Sequence, residues 1–188
     1  MRRGFKAEAE RQAVRLRTEM QVGHSQRLDV DKLAAHLGVE VRSADELVDR
    51  AELEKLDDLQ PRCFSAATFD LPDGRKIAVT NPVGTTDARR DSDLAHELAH
   101  IALRHELRTA ERIGGYTFFN CDPGQEEEAN WLAGCLLLPR PLLLAEARLG
   151  RTVEEIAERH RVSIPMARFR LNTSGVYFQV NRAKMAKR

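Results

Sequence analysis

One octapeptide limits what this chain can fold into more than any other feature: Leu94-Ala95-His96-Glu97-Leu98-Ala99-His100-Ile101. At about 100° per residue on a helix, His96 and His100 stand one above the other, Leu94, Leu98, Ile101 and Ala102 lie nearly opposite, and Glu97 sits beside the pair. A helix of this kind must pack by its apolar face and still turn two imidazoles toward a cleft. The residues between and just after the histidines, Leu98, Ala99 and Ile101, are uncharged, which favours a buried helix over a solvated one carrying two surface histidines. Neutral imidazoles at i and i+4 can reach one zinc ion at about 2.0–2.1 Å, and a carboxylate beside them is placed to act on a water in the metal's open position.

A catalytic zinc site needs a third protein ligand, and Gln125-Glu126-Glu127-Glu128-Ala129-Asn130 opens the next helical stretch, with Glu126 26 residues after His100. Helical geometry separates the three glutamates. Ala129, Leu132, Ala133, Leu136 and Leu137 form a buried face, Glu126 and Asn130 border it one above the other, and Glu127 and Glu128 point elsewhere. Glu126 is therefore the expected ligand, and Asn130 is expected to hydrogen-bond a ligating imidazole. Glu127 and Glu128 read as charges favoured at a helix N-terminus by the macrodipole. Ala129 and Ala133 are small enough to let this helix approach the histidine helix closely. Cys121 stays open as a minor alternative ligand, Cys135 reads as a small buried hydrophobe, and His24, His36, His105 and His160 read as structural or solvated. Tyr116 or His105, folded back into the cleft, would be the group to stabilise a developing oxyanion.

The rest of the 188 residues is consistent with an α+β protein. Helical periodicity runs over 4–20, 29–38, 86–105, 125–138 and 141–148, and Val39 to Arg42 alternates as a strand. Cys63 to Phe69 and Arg75 to Thr80 flank the turn sequence Asp70-Leu-Pro-Asp-Gly74, which predicts a hairpin. Val153 to His160 and Ile164 to Leu171, with Ser163 as N-cap, predict two short helices in a helix-turn-helix outline. Residues 151–188 carry nine Lys/Arg against three Asp/Glu, whereas the whole chain has a net charge of +1. The expected division is therefore a main domain over 1–150 and a basic C-terminal segment over 151–188. Three widely spaced cysteines without a CxxC pair, no signal-peptide pattern and no long apolar run suggest a cytoplasmic protein that does not enter a membrane.

His96-Glu-Leu-Ala-His100 followed by Glu126-Glu-Glu-Ala-Asn-Trp-Leu-Ala-Gly-Cys-Leu-Leu-Leu-Pro139 resembles the ImmA/IrrE family of zinc metallopeptidases, as does Asp29 to Gly38 near the start. The resemblance covers roughly 29–175. This chain departs from the family pattern at Ser92-Asp93, Leu132 and Leu138, none of which is a proposed ligand. The resemblance implies a compact zincin-like domain, zinc on His96, His100 and Glu126, and Glu97 as the catalytic carboxylate. It also implies a protein substrate, often a helix-turn-helix repressor of a mobile element or stress regulon. The expected function is thus a zinc-dependent endopeptidase. The alternative is a DNA- or repressor-binding regulatory module with a structural zinc, supported by Arg159, Arg161, Arg168, Arg170, Arg182, Lys184, Lys187 and Arg188 in the basic segment.

Overall fold

The computed structural model describes residues 1–61, 64–105, 110–113, 116–119 and 122–185, without the side chains of 110–113, 116–119 and 184. Helix α1 (Phe5–Glu19) buries Phe5, Ala9, Ala13 and Leu16, the three- and four-residue spacing visible in the sequence. Helix α2 (Val30–His36) starts at Asp29, whose carboxylate accepts from the backbone N–H groups of Asp31 and Lys32. Strand β1 (Val39–Ser43) follows, then a 3-10 turn and helix α3 (Arg50–Leu59). The expected hairpin forms from β2 (Ala66–Asp70) and β3 (Lys76–Thr80), with Phe69 opposite Ile77, and Gly74 takes the left-handed conformation at its turn. Beyond the sequence expectation, β1 pairs in parallel with β3 through the α3 crossover, which gives a sheet of order β1-β3-β2.

Helix α4 (Asp87–Leu103) lies against β2 and β3 and runs alongside α5 (Pro123–Leu137). Between them, β4 (Ala110–Ile113) and β5 (Tyr116–Phe119) form a second antiparallel pair. Helices α6 (Arg140–Arg148), α7 (Val153–His160), α8 (Ile164–Ser174) and α9 (Val176–Met185) complete the chain. The protein is α+β, mostly helical around a small three-stranded sheet, and none of its described helices is long and apolar enough to cross a membrane.

Residues beyond 150 take part in the main core. Ile156, Val162, Ala167, Leu171 and Val176 are buried in the same cluster as Leu94, Leu98 and Leu132. Between α7 and α8, Arg161 occupies the left-handed region at φ 51, where a glycine would be unstrained, and Ser163 caps α8 by accepting from the Met166 N–H. Several of the basic residues face acids of the chain itself. Arg161 pairs with Asp87 and Asp91, Arg159 with Glu146 and Arg168 with Glu154. Arg170 is fully buried, paired with Glu10 and bonded to the Leu138 carbonyl. Residue 150 therefore marks a change of charge, with no seam in the core among the described residues.

Candidate metal centre

Helix α4 is fixed over its first two turns. Thr86 caps its start by accepting from the Arg89 N–H. Buried Asp91 on its second turn is held by Arg27, Arg90 and Arg161 at 3.1–3.2 Å. Ser92 Oγ accepts the Ser163 N–H at 2.8 Å, tying α4 to the turn before α8. Helix α5 starts at Asp122, whose side chain accepts from the Gly124 N–H, with Pro123 in the first helical position. Glu126 consequently stands in the first turn of α5, where the positive end of the helix dipole favours a carboxylate.

These two helices bring the expected donors together. His96 Nε2 stands 3.1 Å from Glu126 Oε2, His100 Nε2 stands 3.2 Å from His96 Nε2, and His100 Nε2 stands 3.6 Å from Glu126 Oε1. Three lone-pair donors this close repel one another unless a cation or protons lie between them. A tetrahedral ion with bonds of about 2.0–2.1 Å would space its ligand atoms about 3.4 Å apart, within a few tenths of an ångström of these separations. The donor set, two imidazoles and a carboxylate, also suits zinc in kind. His96, His100 and Glu126 are partly buried and meet the spacing a single metal ion requires.

Glu97 lies beside this cluster and is 7% exposed. Thr68 on β2 donates from Oγ1 to Glu97 Oε2 at 3.1 Å, a contact that sequence reasoning missed because the two residues meet only in the tertiary fold. Asp93, one turn before His96, has its carboxyl pushed above the usual range by burial, and Arg89 at 3.3 Å opposes the shift. His96 Nδ1 is buried and has no hydrogen-bond partner among the described residues.

The remaining candidates separate clearly. Glu127 is exposed, as expected of a helix-terminal charge. Glu128 departs from that expectation: it is 5% exposed and accepts hydrogen bonds from the backbone and side chain of Arg2. Asn130 is exposed, and among the described residues it makes no hydrogen bond to either imidazole. On the far side of His100, that position is taken by His105, whose Nδ1 stands 3.0 Å from His100 Nδ1. Cys135 is fully buried, with its thiol pushed up to about 12 by burial. Cys63, Cys121 and the side chain of Tyr116 lie outside the described residues.

The family model of the IrrE N-terminal-like domain, a peptidase family, matches residues 58–172. The chain belongs to this family. The matched stretch runs from the end of α3 through most of α8, so it includes β2 with Thr68, all three metal-donor residues and the helices beyond residue 150. Neither a curated protein nor a solved structure matches the chain. Family membership makes this a metallopeptidase-family protein whose class of substrate is protein.

Proposed function

We propose that this protein is a zinc-dependent endopeptidase in which His96, His100 and Glu126 hold the metal and Glu97 is the catalytic carboxylate. The observation that carries the reading is the convergence of the three donor side chains with Glu97 buried next to them. Zinc held there supplies Lewis acidity and brings the pKa of a bound water from 15.7 toward about 7. Glu97 accepts a proton from the attacking water as the scissile carbonyl is attacked, then returns it to the leaving amine. Thr68 holds Glu97 Oε2 and so limits rotation of the carboxylate during both transfers. β2 is one of the two outer strands of the sheet and carries Thr68. An extended substrate backbone laid along that edge would pass near the Thr68–Glu97 contact.

Within this reading the substrate is a helix-turn-helix repressor, an assignment that rests on the family resemblance, and the cytoplasmic location rests on the sparse, unpaired cysteines of the sequence. The zincin-like label rests on the same ground, and the helix-turn-helix description of α7 and α8 rests on the residue pattern from Val153 to Leu171. Support by Asn130 for an imidazole rests on sequence spacing. The rival DNA-binding module is weakened by the internal ion pairs of Arg159, Arg161, Arg168 and Arg170. Glu97→Gln separates the two. A peptidase variant keeps zinc and fold but loses most cleavage of a co-expressed repressor, whereas His96→Ala loses zinc as well. Repression relieved as well by Glu97→Gln as by wild type, but not by His96→Ala, would make the metal structural and the endopeptidase reading wrong.

A further inference from the structure

Behind His100, on the side away from the donor cluster, lies a second line of polar groups that the proposed chemistry does not use. His105 and Glu128 are both buried, with side chains 7% and 6% exposed. Such groups are costly to bury unless they are paired. On a continued helix His105 would stand about 140° round from His100. Helix α4 instead ends at Arg104, whose left-handed backbone at φ 55 folds the chain back, and the His105 N–H bonds to the His100 carbonyl at 3.0 Å. This turn sets the two rings edge to face with centroids 5.0 Å apart.

We propose that Glu128 and His105, anchored by Arg2, form a positioning relay that fixes the tautomer and orientation of His100 as a metal ligand. The inference rests on the metal-centre reading above. The proton assignment follows step by step. His100 presents Nε2 to the donor cluster, so its N–H is on Nδ1. That N–H points at His105 Nδ1, 3.0 Å away, which must therefore accept. The N–H of His105 is then on Nε2, which faces the Glu128 carboxylate with Oε2 3.5 Å away. His105 Nε2 is buried and makes no hydrogen bond among the described residues, so the Glu128 carboxylate acts on it across 3.5 Å by charge alone. Glu128 is held in turn by the Arg2 backbone N–H at 2.8 Å on Oε1 and by Arg2 Nε, which is shared between Oε1 at 3.1 Å and Oε2 at 3.3 Å. The tautomers of His100 and His105 are thus set by the donor cluster at one end and by the carboxylate at the other. A carboxylate behind a metal-bound histidine orients the ring and raises its basicity, here with a second imidazole interposed.

The test is zinc affinity of the full-length chain, measured by competition with a chromophoric chelator, with the cobalt absorption spectrum as a second readout. His105→Ala is expected to weaken zinc binding about 10- to 100-fold. His105→Asn should recover part of that loss, because its Oδ1 can accept where Nδ1 did. Glu128→Gln should show a smaller loss in the same direction and a shifted cobalt spectrum, while exposed Glu127→Gln changes neither. Wild-type zinc affinity and cobalt spectrum in a folded His105→Ala would overturn the relay, even if thermal stability falls. Where His105→Ala does not fold, wild-type values in both His105→Asn and Glu128→Gln overturn it. A wild-type chain that binds no zinc removes the metal centre itself and the relay with it, an outcome distinct from failure of the relay alone.

Discussion

Gly134 lies on the stretch of α5 that meets α8, and the stem of Arg170 fills the space a side chain there would need. A Cβ at residue 134 would fall well inside van der Waals distance of Arg170 Cδ, 3.0 Å from its Cγ and 3.3 Å from Met166 Sδ. Arg170 has little room to swing aside. It is fully buried, its Nε donates to the Leu138 carbonyl at 3.1 Å, and its Nη2 donates to Glu10 Oε1 at 2.8 Å. Gly134→Ala therefore sets two effects against each other. The helix gains about 0.8–1.0 kcal/mol from replacing an interior glycine, and overpacking costs about 1–3 kcal/mol. The expected result is a net loss of up to about 2 kcal/mol, or a fall in Tm of up to about 4–8 °C for a chain of this size. In an Arg170→Ala background the obstruction is gone, and the same substitution should stabilise by about 1 kcal/mol. Urea denaturation of wild type, both single variants and the double variant, at constant slope, measures this change of sign. If Gly134→Ala stabilises the wild-type chain by about 1 kcal/mol and Arg170→Ala does not alter that gain, α8 is not seated on α5 as described.

Glu126→Ala is expected to lower zinc affinity by more than the about 10- to 100-fold typical of an outer partner, while Glu127→Ala keeps it; equal losses, read by metal content after dialysis, would refute the ligand assignment. Asn130→Ala, measured alongside, should weaken affinity if the sequence-based role holds and leave it unchanged if His105 alone supports the histidine pair. Chelation should lower Tm and added zinc restore it, since a ligand at about 100 times its Kd stabilises by about 2.7 kcal/mol; a Tm insensitive to both would argue against a bound ion. Arg90 donates to both carboxylate oxygens of Asp31 and holds that carboxyl below its usual range. A depressed folded-state pKa contributes stability above the unfolded value near 3.9 that is lost as pH falls through the folded value. The stability gap between wild type and Asp31→Asn, followed by urea denaturation, should therefore be present at neutral pH and close in acid.

How far the sequence foretells this molecule depends on whether a residue's role is local. The faces of α4 and α5 follow from periodicity, and the caps at Asp29 and Ser163 follow from residue type, so the convergence of His96, His100 and Glu126 was legible. Roles created by distant partners were not. Glu128 reads as one more charge at a helix start until Arg2, 126 residues away, is seen bonded to it. Arg170 reads as part of a basic surface until Glu10, 160 residues away, is found opposite it. His105 was hidden for a backbone reason, since a non-glycine residue in the left-handed region gives little sign of itself and helical periodicity carries the eye past the turn at Arg104. Helix α3 escaped notice because it buries only Leu53 among its residues, too little to show a stripe.

The three proposed metal donors stand on only two rods, His96 and His100 on α4 and Glu126 on α5. Their mutual placement therefore reduces to the distance and angle between those rods. Both helices are lined with buried alanines, Ala95 and Ala99 on one and Ala129 and Ala133 on the other. A larger side chain wherever one of these alanines faces the other helix would act as a shim, tilting the donor triangle while every proposed ligand stays in place. Metal affinity and metal preference in the proposed site would thus be tuned by side chains that never touch the ion.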